Sequence, residues 1–257
     1  MKFRPCIDIH NGSVKQIVGM SLRDEGDHAA ENFVASKSAA WYASLFRNDG
    51  LTGGHVILLN GKNSPMYGAT EAQAKEALRA WPGGLEVGGG ITAESAGSWI
   101  DAGASHVIVT SYVFRGGEIR YDRMRELVDA VGREHIVLDL SCRRREDSPG
   151  APYYVCTDRW QYVTDTVLDG RLLETLSSFC DEFLIHGIAV EGKGSGIDTD
   201  LAKLLGSTET PRPITYAGGI RNAGDIELIG RLGNGKLDYT VGSALDIYGG
   251  NLPYRSL

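Results

Sequence analysis

Val87-Gly-Gly-Gly-Ile91 closes a short β-branched run, and Tyr216-Ala-Gly-Gly-Ile220 closes another, with Ile91 and Ile220 separated by 129 positions. Each glycine turn leads from a strand-like segment into one with apolar residues at helical spacing, the basic unit of a parallel α/β sheet. Working outward from the two turns, further pairs appear at nearly the same offset. Cys6-Ile-Asp-Ile9 is repeated as Val137-Leu-Asp-Leu140, so Asp8 and Asp139 are 131 positions apart. His55 and His186 are also 131 apart, and the serines of Val109-Thr-Ser111 and Val241-Gly-Ser243 are 132 apart. Four correspondences at nearly one offset describe an internal duplication, with halves of about 1–131 and 132–257.

Strand-like runs fall at 3–9, 55–59, 85–87, 106–110, 136–140, 182–186, 214–217 and 237–241. Between them lie amphipathic stretches such as Met124, Leu127, Val128 and Val131, or Ile226, Leu228, Ile229 and Leu232. A run like His106-Val-Ile-Val-Thr110, apolar on both faces, suits a parallel sheet covered by helices. The expectation is an α/β protein, a (β/α)8 TIM barrel built from two half-barrel repeats and spanning 1–257 as one domain. An open doubly wound sheet is the alternative. The duplication sets strand 1 opposite strand 5, and strands 3–4 opposite strands 7–8. Two irregular stretches, 10–30 and 141–169, follow strands 1 and 5 on the face where barrels build their sites. The second is expected to fold over a ligand as a lid.

Composition narrows the partners. The 257 residues include 34 glycines, which is about twice ordinary usage. With 42% hydrophobic residues the chain can bury a full core, which excludes disorder. No apolar run approaches the ~20 residues of a membrane span, and MKFRPCIDIHNG reads as neither signal nor transit peptide. Cys6, Cys142, Cys156 and Cys180 form no C-x-x-C pair, as expected of reduced thiols in the cytoplasm. A net charge of −7 argues against a nucleic-acid or membrane footprint, so an anionic ligand must be held locally. A monomer is expected.

The glycine turns suggest how. Backbone N–H groups at a glycine turn leading into a helix favour an anion. Gly88, Gly89 and Gly90 with Thr110 and Ser111 in one half, and Gly218, Gly219, Gly242 and Ser243 in the other, therefore read as phosphate sites. The plainer reading is that these glycines only relieve crowding at tight turns. Their occurrence on opposite sides of one barrel favours a ligand with a phosphate at each end. Two other motifs fail. Gly88–Ala93 has the G-x-G-x-x-A form but follows the third strand and lacks a placed ribose-binding acid. Gly187–Gly194 is a Walker A sequence except that Gly194 stands where the magnesium-binding hydroxyl should be.

A carboxylate among Pro5, Cys6, Ile7 and Ile9 is costly unless paired or at the barrel mouth, which makes Asp8 a candidate catalytic group. The repeat pairs it with Asp139, and Ser141 lies two residues on, on the same strand face. Two carboxylates across a bisphosphate can act as base and acid on the atoms between its ends. The structural alternative ties Asp8 to backbone amides or to Lys15; with Ser141, Arg143 and Trp160, Lys15 is also expected to touch the substrate. His55 and His186 are candidates because the repeat pairs them; otherwise they would read as packing residues. Arg143 and Trp160 in the long loop could close over a planar heterocycle. No His, Cys or carboxylate cluster has metal-ligand spacing, so no metal is expected.

Cys6–Gly19, Gly54-His-Val-Ile57, Val87–Ile91, Asp139-Leu-Ser-Cys-Arg143, Tyr216–Ile220 and Val241–Gly250 together are similar to one family. It is the phosphoribosylformimino-aminoimidazole-carboxamide-ribotide isomerase family of histidine biosynthesis, in its eukaryotic-type branch, and the resemblance runs along essentially the whole chain. It implies a half-barrel duplication, a small-molecule bisphosphate substrate, no cofactor, and an Amadori rearrangement of an aminoaldose to an aminoketose. Asp8 then matches the family's base, and His55 its strand-2 histidine. His186 stands where the common bacterial form has a threonine. Ser141 stands where that form has its catalytic aspartate, leaving Asp139, two positions earlier, as the expected acid. The alternatives are the sister cyclase of the same pathway and a catalytically silent phosphosugar-binding barrel.

Overall fold

The computed structural model describes residues 1–17, 31–145, 150–157, 160, 162–190 and 195–257. Eight parallel strands, Cys6–His10, Gly54–Leu58, Leu85–Gly88, Val107–Val109, Ile136–Asp139, Glu182–His186, Ile214–Ala217 and Leu237–Tyr239, follow one another around the sheet in chain order. They are numbered 1 to 8 below. Strand 8 returns to strand 1 through a parallel bridge between Phe3 and Tyr239. Arg4 N donates to Tyr239 O at 2.8 Å there, and Tyr239 N to Lys2 O at 3.0 Å. This closure makes the sheet a barrel and rules out the open alternative.

Period-two alternation explains why the strands are apolar on both faces. Ile7, Ile9, Val56, Leu58, Val87 and Leu138 join Ala43, Phe46, Ala77 and Leu78 of the surrounding helices in the large core. Ile108, Val137, Leu184 and Ala217, with Ile57 against them, form a separate small cluster, which is the barrel's own filling. Capping side chains start the helices that follow the glycine turns. Thr92 and Ser95 form a capping box before Ala93–Asp101, which buries Ala96 and Trp99. The Asn222 side chain accepts from Asp225 N before Ala223–Leu232, which buries Ile226 and Ile229. After strand 8 there is no long helix but two 3-10 turns, Asp246–Tyr248 and Tyr254–Ser256. Gly249, with φ +80°, ends the first, and Pro253 lies between them.

The two stretches expected to be irregular are partly strand. Ser13–Ile17 pairs antiparallel with strand 1 and with Glu31–Val34, extending the sheet on that side. Cys142–Arg144, Tyr153–Thr157 and Tyr162–Val167 form a three-stranded antiparallel sheet after strand 5. Arginine pairs pin it. Arg144 meets Asp200 at 2.9 Å and stacks on Tyr153, and Arg145 pairs with Asp165 and stacks on Tyr154. The remainder of the expected loops, 18–30, 146–149, 158–159 and 161, lies outside the described residues. No helix among the described residues is long and apolar enough to cross a membrane.

Candidate active site

Asp8, Asp139 and His186 sit at or near the C-terminal ends of strands 1, 5 and 6. They line one cavity of about 520 Å3 with His55, Ser141 and Trp160. Gly218, Gly219, Gly242 and Ser243 close one side of it. An adjoining cavity of about 290 Å3 is lined by Gly88, Gly89, Gly90 and Lys62. The two share Thr110, Ser111 and Asp139, so the glycine turns of the two halves border one trough with the carboxylates between.

Asp139 is the hub of a hydrogen-bonded cluster. Its Oδ1 lies 3.1 Å from His186 Nδ1 and accepts from Ser141 Oγ at 3.3 Å. Ser141 Oγ in turn accepts from Trp160 Nε1 at 2.8 Å. Trp160 holds a left-handed backbone angle, φ +69°, that L residues seldom adopt, with its ring centroid 6.3 Å from that of His186. His55 is buried, and desolvation together with the neighbouring His186 pushes its imidazole down to about 3. It is therefore neutral at physiological pH and shapes the wall without carrying a charge.

Two of the residues expected to touch substrate are elsewhere. Lys15 is buried in its strand opposite Val34 and is not among the lining residues, which include its neighbour Gln16. Alternation along that strand puts the two side chains on opposite faces. Among the described residues Arg143 is not part of the lining of either cavity and lies against Cys156, whereas the expected clasp pairs it with Trp160 over a heterocycle. Trp160 alone reaches the cavity.

The glycine turns carry both readings made from sequence. A Cβ on Gly89 would lie 2.3 Å from Leu58 O, and one on Gly219 2.2 Å from Gly196 O. Both also have positive φ, so packing alone requires glycine there. Of the lining residues that the sequence reading does not name, Gln16, Thr240, Arg221 and Lys62 bear most on binding. Gln16 Nε2 and Thr240 Oγ1 are buried in the main cavity wall without a hydrogen-bond partner among the described residues. Placed in a cavity wall, such atoms can bond to a ligand or to water. Arg221 is held beside Gly219 by Asp225, through Nε to Oδ2 and Nη2 to Oδ1, both at 2.9 Å. Lys62 stands at the other glycine turn. Among the described residues no group of three or more His, Cys, Asp or Glu is placed to hold a metal ion.

Two outcomes are expected from this wall. Replacing Gln16 by Met should raise KM about 3- to 30-fold with little change in kcat, the cost of a lost donor to a ligand acceptor. An unchanged KM would remove Gln16 from the binding surface. Product titration should change tryptophan fluorescence, and Trp160→Phe should abolish the change by removing the indole next to the ligand. A response that survives in Trp160→Phe would place the reporter elsewhere.

A closed barrel with a two-sided trough at its C-terminal face, paired carboxylates on strands 1 and 5 and a half-barrel repeat defines a class of small-molecule enzyme. Residues 2–253 match the family described as histidine biosynthesis protein, and the chain belongs to that family. The relatives are specific. A Medicago truncatula protein is 51% identical over 261 residues, covering 100% of this chain and 80% of its own length. A Yarrowia lipolytica protein is 44% identical, covering 97% of this chain and 93% of its own length. One from Saccharomyces cerevisiae is 40% identical, covering 98% and 94%. All three are named 1-(5-phosphoribosyl)-5-((5-phosphoribosylamino)methylideneamino) imidazole-4-carboxamide isomerases, and the Medicago protein is also named chloroplastic.

Proposed function

We propose that this chain is a cofactor-independent aldose–ketose isomerase that performs the Amadori rearrangement named by its relatives, acting on an aminoaldose with a phosphate at each end. The observation that carries the reading is the single trough in which Asp8 and the Asp139–Ser141–His186 cluster stand between two glycine turns. The backbone N–H groups at Gly90, Thr110 and Ser111 serve one phosphate, with Lys62 nearby. Those at Gly219, Gly242 and Ser243 serve the other, with Arg221 nearby. Binding at both ends fixes the reacting carbons and turns an intermolecular proton transfer into a positioned one.

The rearrangement then needs only proton transfers. An acid protonates the ribose ring oxygen as the C1–O bond breaks and the nitrogen lone pair forms a Schiff base. Asp8, as base, removes the C2 proton, giving an enolamine. Return of that proton to C1, with loss of the C2 hydroxyl proton, yields the aminoketose. The three-stranded sheet and Trp160 cover this side of the trough and limit water reaching the Schiff base. A cytoplasmic monomer without nucleic-acid or membrane partners fits the acidic chain and its four buried, unbridged cysteines. The plant relative's chloroplastic name belongs to that protein.

The test is an absorbance assay on the aminoaldose, with and without ammonia and a glutaminase. Conversion without ammonia supports the isomerase. Consumption of the aminoketose only with ammonia would mean the cyclase, and binding without turnover a silent barrel.

A further inference from the structure

We infer that the acid of this reaction is His186, acting through Nε2, and that Asp139 is the carboxylate that positions it. The inference rests on the isomerase reading above and concerns which atom moves the proton. The carboxylate of strand 5 was expected to be the acid, but its surroundings are those of an acceptor. Trp160 Nε1 can only donate, and it donates to Ser141 Oγ at 2.8 Å. Ser141 therefore turns its own single proton toward Asp139 Oδ1 at 3.3 Å. The same Oδ1 lies 3.1 Å from His186 Nδ1. An ionised carboxylate accepts both bonds at once, and the chain Trp160–Ser141–Asp139–His186 then runs in one donor direction. Donation from Nδ1 fixes the ring, so Nε2 is the imidazole atom able to exchange a proton with a ligand in the cavity that His186 lines. Ser141, where the common bacterial pattern has an aspartate, is in this chain a relay of orientation and not a proton source.

The proton balance closes with two groups. His186, as its imidazolium, gives the Nε2 proton to the ring oxygen as C1–O breaks and becomes neutral imidazole. Asp8 takes the C2 proton and delivers it to C1 of the enolamine. As the C2 carbonyl forms, its hydroxyl proton returns to His186 Nε2. Both residues end as they began, and no other reactant is consumed.

Among the described residues, the remaining ionisable groups lining this cavity are Cys6, Asp8, His55, Asp139, Cys156 and Arg221. His55 is held neutral by burial, burial raises the Cys156 thiol, and Arg221 is bound to Asp225. An acid must hold its proton, so kcat should fall on the alkaline side as His186 loses its proton.

The experiment compares His186→Gln, His186→Ala and Trp160→Phe with wild type, with product binding measured in each as the folding control. His186→Gln should lose about 10²–10⁴ in kcat, lose the alkaline limb of the pH profile, and still bind product. Added imidazole should raise kcat of His186→Ala and leave wild type unchanged. Trp160→Phe, which removes the donor to Ser141 together with part of the ring surface lining the cavity, should lower kcat while keeping the alkaline limb. A His186→Gln enzyme with near-wild-type kcat and an intact alkaline limb would overturn the assignment. So would a product-binding His186→Ala enzyme that imidazole does not restore. Absence of turnover in wild type would instead refute the isomerase reading itself.

Discussion

Asp8→Asn is expected to lower kcat by about 10²–10⁴ while product binding stays within about threefold of wild type. Asp8 belongs to strand 1 and pairs in register with Ile57 of strand 2, so its backbone is fixed by the barrel and not by a loop. Cys6, two residues earlier, lines the same cavity, whereas Ile7 and Ile9 are fully buried in the core on the opposite face. Asparagine keeps the volume and the polar surface but cannot take a proton from C2. The loss should therefore fall on kcat, with the phosphate ends still bound. Wild-type turnover by Asp8→Asn would remove the base from the mechanism, and a parallel collapse of product binding would make Asp8 a binding residue.

The second large effect is on stability and comes from the opposite end of the barrel. Arg4 Nε donates to Asp238 Oδ2 at 2.9 Å, and its Nη2 lies 3.3 Å from Glu182 Oε2. Glu182 also accepts from Thr215 Oγ1 at 2.7 Å. Burial pushes the Glu182 and Glu86 carboxyls above the usual range, and Arg4 pulls both back toward ionisation. Arg4→Met leaves these acids without their cation, a loss of about 3–5 kcal/mol. At about 2–4 °C per kcal/mol for a chain of this size, Tm should fall by roughly 6–20 °C. The pH dependence has a defined sign. Carboxyls whose folded-state value is raised bind more protons in the folded state, so they destabilise above that value and the penalty shrinks as pH falls toward the ordinary carboxylate range. The Tm deficit of Arg4→Met should therefore be largest at neutral pH and smaller in mild acid. A deficit under about 2 °C at neutral pH would mean that the cluster contributes little.

The barrel was legible in the sequence because its signals are periodic and repeated. The eight strand-like runs fall on the eight parallel strands because each alternates between the helix layer and the barrel filling. The halves are legible because Asp8 and Asp139, or Gly89 and Gly218, stand at equivalent strand ends. The antiparallel additions were harder to read. Tyr153-Tyr-Val-Cys-Thr157 has strong strand propensity, but short antiparallel strands depend on the partner they find, here Cys142–Arg144 and Tyr162–Val167. At the site, strand-end residues are legible by position, whereas charge alone marks Lys15 and Arg143. Gln16 stands beside Lys15, and strand alternation points the two to opposite faces. Thr240 could have been found two residues after Asp238, and Arg221 directly after the second glycine turn. Lys62 carries no such positional signal. The donor direction through Trp160 and Ser141 is a property of three-dimensional contact, and no spacing in the chain announces it.

The central claim is that this trough moves protons between C1, C2 and the ring oxygen of a bisphosphorylated aminoaldose. The most direct measurement is 13C NMR of substrate labelled at C2 of the reacting ribose, incubated with the wild-type protein in ammonia-free buffer. The C2 signal should move from the secondary-alcohol region to the ketone region at a rate proportional to protein concentration, and Asp8→Asn should leave it in place over the same time. A C2 signal that stays in the alcohol region with wild-type protein, while the substrate is bound, would contradict the claim.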